Sequence, residues 1–137
     1  MNIGVIDGSS YLKGLLLLVR KDHRITDSEI RLMRHVGATL GFEFGFCENA
    51  IREILRNKYI ADVPPEFSTK ELTEKFVKDG LALAASDDEV HPREDEWLRQ
   101  TAEKNGLGST WYRQERAAAV KRRHSRLEVD SLTVGHF

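Results

Sequence analysis

An acidic turn is written twice in this chain, 65 positions apart, and that repetition limits the possible folds more than any other feature. The first copy is Lys21-Asp22-His23-Arg24-Ile25-Thr26-Asp27-Ser28-Glu29, and the second is Ser86-Asp87-Asp88-Glu89-Val90-His91-Pro92-Arg93-Glu94. Each has an Asp, a short turn with an aliphatic third residue, a helix cap, and a Glu three residues into the next helix. The same offset pairs Tyr11 with Phe76, Leu16 with Leu81, Arg34 with Arg99, Gly41 with Gly106, Phe46 with Trp111 and Leu55 with Val120. Caps, helix stops and apolar stripes agree together, which is the mark of a structural repeat rather than of scattered identities. The spacing predicts two related halves, residues 11–57 and 76–122, with three helices each. A three-helix unit of that size is expected to bury its apolar face against its twin.

The local signals predict where the helices lie. Met1 to Ser10 reads as a lead-in, with Ser9 or Ser10 capping a first helix from about Tyr11 to Lys21. Thr26 and Glu29 form a capping box that opens a second helix, and Gly41 stops it. Phe42, Phe44 and Phe46 are expected to point into the core around the start of a third helix over 45–57. Pro64-Pro65 separates the halves, since no helix continues through them. Ser68 and Glu71 read as a further capping box. Pro92 suits the first position of a fifth helix, and Ser109 or Thr110 caps a sixth. Residues 123–137 read as a loosely held tail, extended around Leu132 to Val134. The expectation is one all-α domain spanning 1–137, a helical bundle of about six to seven helices.

With 137 residues, such a domain can bury about two thirds of its unfolded surface without staples. The formal net charge of −1 gives no global field for nucleic acid. A nucleic-acid partner is therefore not expected, and the basic run Lys121 to Arg126 is followed directly by Glu128 and Asp130. Cys47, the single cysteine, cannot form an internal disulfide and reads as a buried thiol. Met1 to Asp7 lacks the pattern of a secretory leader. The run Leu15 to Val19 is far shorter than the roughly 20 residues of a membrane span, so it reads as buried helix.

In size, helical pattern and duplicated Asp-turn-cap-Glu motif, residues 11–120 resemble the tellurite-resistance TerB family. The second half, through Val90-His91-Pro92, Glu94 and Leu98, also resembles the TerB-like domain of membrane-anchored DnaJ-type co-chaperones. The family's usual Asp-Gly is replaced here by Asp22-His23 and Asp87-Asp88. The resemblance implies a non-enzymatic module of a bacterial metal and chemical stress response. It also implies cation binding at acidic positions and protein partners near the inner membrane, hence a cytoplasmic location.

The residues allow two readings of the acids. Asp22, Asp27 and Glu29, and likewise Asp87, Asp88 and Glu94, could hold calcium, magnesium or manganese, which favour oxygen ligands. Alternatively the Asp side chains accept amide N–H groups of their own turns while Glu29 and Glu94 act as caps. An EF-hand is excluded, because a twelve-residue loop begun at Asp22 or Asp87 would put Met33 or Leu98 at the bidentate Glu position. His23 and His91 are further nitrogen candidates. His91-Pro92-Arg93 lacks the Asp of a J-domain motif. With no paired cysteines, phosphate loop or nucleophile elbow, neither structural zinc nor an enzyme is expected.

Overall fold

The computed structural model describes residues 3–21, 25–85, 90–122 and 131–137, and among these it is all-helical, with six α-helices and no strand. The helices are α1 (Val5–Arg20), α2 (Asp27–Thr39), α3 (Phe44–Arg56), α4 (Lys70–Ala84), α5 (Pro92–Lys104) and α6 (Ser109–Arg122), followed by a 3-10 turn, Thr133–His136. Each helix of the second set starts 65 positions after its counterpart: Val5 and Lys70, Asp27 and Pro92, Phe44 and Ser109.

Local chemistry sets these boundaries. Thr26 Oγ1 accepts the Glu29 N–H at 3.1 Å while the Glu29 carboxylate accepts the Thr26 N–H at 3.0 Å, the reciprocal capping box. His91 caps α5 in the matching place, its Nδ1 accepting the Arg93 N–H, and Pro92 follows at the first position. Both second helices end on a left-handed glycine, Gly41 at φ 90° and Gly106 at φ 83°. The same closing bond spans each stop, Phe42 N–H to Gly37 O and Leu107 N–H to Ala102 O.

The core centres on α1 and α4. Tyr11, Leu12, Leu15, Leu16 and Leu18 of α1 and Phe76, Val77 and Leu81 of α4 have no exposed surface. Helix α1 packs on α2, α3 and α4, and α4 packs on α5 and α6, so the two first helices join the halves. The rings of Tyr11 and Phe76 touch, and farther along an atom added at Gly80 would meet Leu18 at 3.2 Å. Contact therefore advances along both helices together. α1 and α4 run in the same sense, and both end toward the same side of the bundle.

The structure corrects several expectations. α1 starts at Val5, not near Tyr11. Gly8 is buried under the Phe42 ring, where a side chain would crowd it, and Asp7 sits favourably in the first turn. Ser68 does not pair with Glu71. Its N–H and hydroxyl both go to the Asp7 carboxylate, and Thr69 alone caps α4 through the Leu72 N–H. Phe44 does not enter the core but is 74% exposed, and Phe46 is 39% exposed and stacked on Phe42. Residues 131–137 are neither loose nor extended: Leu132 and Val134 are buried, and the backbone makes a 3-10 turn. Residues 123–130, the rest of the expected tail, lie outside the described residues.

Candidate functional site

The end of the bundle from which both acidic turns depart is organised by Arg20, the last residue of α1. Its guanidinium donates to the carbonyls of Ile54 (3.1 Å), Asn57 (3.2 Å) and Ile60 (2.7 Å), and also to the Asp62 carboxylate. A planar fork with several donors suits this work, which one ammonium could not do. It ties the C-terminal end of α3 and the segment after it to the end of α1, and so fixes Asp62.

Asp62 also gathers Lys21 and Trp97. Lys21 Nζ lies 3.2 Å from its second oxygen and 5.4 Å above the ring of Trp97, which is buried on α5. The Trp97 indole N–H donates to the Asp62 carbonyl at 2.9 Å. Burial pushes the pKa of Asp62 up, but the hydrogen bonds from Arg20 and Lys21 outweigh it, and the carboxyl is held below the ordinary aspartate range.

Around this knot lies an open cleft of about 450 Å³, lined by Lys21, Asp62, Pro92, Arg93, Glu96 and Trp97 among others. Lys21 immediately precedes the first acidic turn, and Pro92 and Arg93 open the helix after the second. One described flank of each turn therefore lines the same cleft. The chemistry available is charge and hydrogen bonding beside an aromatic wall. Cys47, by contrast, is buried on α3, and burial raises its thiol above the ordinary range.

Of the six acids named as cation ligands, Asp22, Asp87 and Asp88 lie outside the described residues, as does His23. Asp27 is exposed at the first position of α2. Glu29 closes the capping box, and Glu94 is half-buried in the first turn of α5. Among the described residues, no three His, Cys, Asp or Glu side chains group closely enough to hold a metal ion. No helix among them is long and apolar enough to cross a membrane.

Arg20, Asp62 and Trp97 escaped the sequence reading. Arg20 and Asp62 are 42 positions apart, and neither belongs to a motif. Trp97 gave a usable signal: it occupies the helix position matching Leu32, where a larger ring with a polar edge needs an acceptor. Comparison of the chain with known protein families, curated proteins and solved structures finds no match.

Proposed function

We propose that this chain is a non-catalytic helical module that works through the end of the bundle where its two acidic turns leave α1 and α4. In this reading the carboxylates of the turns, Asp22, Asp87 and Asp88 with Asp27, Glu29 and Glu94, bind a divalent cation such as calcium, magnesium or manganese. The cleft beside them is presented to a protein partner. The observation that carries the reading is the shared cleft: Lys21, before the first turn, and Pro92 and Arg93, after the second, line it together. An acidic stretch at a helix C-terminus is electrostatically unfavourable by a few tenths of a kcal/mol, and a bound cation would relieve it. The TerB-like pattern of the sequence agrees with this reading and suggests a bacterial response to metal or chemical stress. It also suggests a cytoplasmic module that meets a complex at the inner membrane.

A second reading, an interaction domain whose acids are purely structural, is favoured by the Glu29 capping box, in which the carboxylate already serves Thr26. Calorimetry separates the two. Titration of calcium, magnesium, manganese and zinc should give saturable heat with at least one oxygen-preferring cation. Asp22→Asn and Asp87→Asn should each weaken it about tenfold, roughly the loss of 1.4 kcal/mol. No heat, no thermal shift and no effect of either substitution would leave the structural reading in place.

A further inference from the structure

Asp79 is a carboxylate in the middle of α4, on its buried face and 1% exposed. Such a group is costly to bury unless its oxygens are satisfied. Here they are satisfied largely by another part of the chain. Asp79 Oδ1 accepts the Thr133 N–H at 2.6 Å, and Oδ2 accepts the Val134 N–H at 3.1 Å and the Tyr11 hydroxyl at 2.6 Å. Thr133 and Val134 are the first two residues of the 3-10 turn, so these amides have no partner within it. The carboxylate thus reads the opening turn of a helical segment, as an anion does at a helix start.

The surroundings complete a receptor. The Tyr11 ring lies edge-on to Phe67, Phe76 and Phe137, at 5.9, 5.3 and 5.3 Å. Thr133 Oγ1 donates to the Lys75 carbonyl at 3.3 Å, and Lys75 Nζ lies 5.2 Å over the Phe137 ring. Leu132 and Val134 flank the threonine, both buried. Two backbone bonds close the segment at its edges, Gly135 N–H to Leu132 O and Phe137 N–H to Val134 O.

We propose that Asp79, Tyr11 and the Phe67–Phe76 wall form a binding seat for the first turn of a helical peptide, and that residues 131–137 occupy it in place of a partner. The partner's chemistry follows from that occupant. It is an apolar helix start with two unpaired amide N–H groups, aliphatic residues either side of a Thr or Ser, and an aromatic residue four positions after it. This seat is separate from the acidic turns and does not depend on their binding a cation.

Thr133→Pro in the full chain provides the test. Proline is tolerated at the first position of a helical turn, and Leu132, at φ −100° and ψ 154°, already has the extended backbone that precedes proline. The substitution removes the amide donated to Asp79 with little backbone strain. A labelled peptide with the sequence of residues 131–137 is then titrated by fluorescence anisotropy. It should bind the Thr133→Pro chain at least tenfold more tightly than the unmodified chain, and adding Asp79→Asn should cancel that gain. Hydrogen exchange at Val134 should rise at least tenfold in Thr133→Pro while the buried amides of α1 and α4 keep their protection. Equal peptide binding to both chains, no saturable binding at millimolar peptide, or exchange that rises throughout the molecule would overturn the proposal.

Discussion

The rings of Tyr11 and Phe76 meet edge to face, centroids 5.3 Å apart and planes at 89°, and the two residues hold the same position in α1 and α4. Counterpart residues that touch each other make the kind of self-pairing found in a symmetric dimer interface. The neighbouring contacts exchange accordingly. Phe76 covers Gly14, and Tyr11 covers Asp79, the residue at the position matching Gly14. The symmetry is broken at one polar group, which gives Tyr11 an acceptor that Phe76 lacks.

That asymmetry predicts unequal exchanges. Tyr11→Phe removes one of the bonds to a buried carboxylate and should destabilise the chain by about 1–3 kcal/mol in urea unfolding. Phe76→Tyr places a hydroxyl close to Gly14 and should cost a similar amount, about 1–3 kcal/mol, through an unsatisfied buried group. Tyr11→Phe combined with Asp79→Asn should be clearly non-additive, since both changes strike one bond.

Asp79 also sets a pH dependence. Burial raises its pKa, hydrogen bonds from Tyr11, Thr133 and Val134 pull it back, and burial prevails. A group raised in the folded state stabilises the fold fully below its unfolded value and loses that contribution as pH rises through the folded value. The stability advantage of the unmodified chain over Asp79→Asn should therefore be greatest near pH 4 and decline at higher pH. Urea melts of both proteins across pH 4–8 measure it, and an advantage that grows with pH would be the wrong sign.

The helix stops make a third case. Gly41 and Gly106 both need positive φ, where a Cβ is strained. Alanine at either should cost about 1–2 kcal/mol, and asparagine less. A melt in which Gly41→Ala is as stable as the parent would mean that this stop is not left-handed.

Arg20 is the fourth. Its side chain satisfies three carbonyls as well as Asp62, so Arg20→Met should cost about 2–4 kcal/mol. Arg20→Lys should recover only a minor part, because one ammonium cannot span the set. Asp62 carries the opposite pH sign to Asp79. Its carboxyl is held below the ordinary range, so its contribution is present above the unfolded value and lost as pH falls through the folded one.

The features legible in the sequence were the ones whose physics is local. Thr26 and Glu29 are three residues apart, Pro92 sits at a helix start, and Gly41 and Gly106 end helices, so each signal and its effect share one turn of chain. Asp79 was missed because its partners are remote: Tyr11 is 68 positions away and Thr133 is 54. Its only trace was a charge among apolar residues, three positions after Phe76. The burial of the tail is hidden for the same reason, since Leu132 and Val134 look like ordinary loop residues until α4 supplies the carboxylate that anchors the backbone beside them. Phe44 shows the reverse error: aromatic character suggested burial, but α3 turns that side chain outward.

The central functional claim is that the two acidic turns act as one face, and manganese broadening of amide NMR signals tests it most directly. Added in small steps, manganese should broaden signals of residues 21–29 and 86–94 together, at the same concentration, and excess calcium or magnesium should restore both sets. Broadening at only one turn, or equal broadening over the whole surface, would contradict the claim.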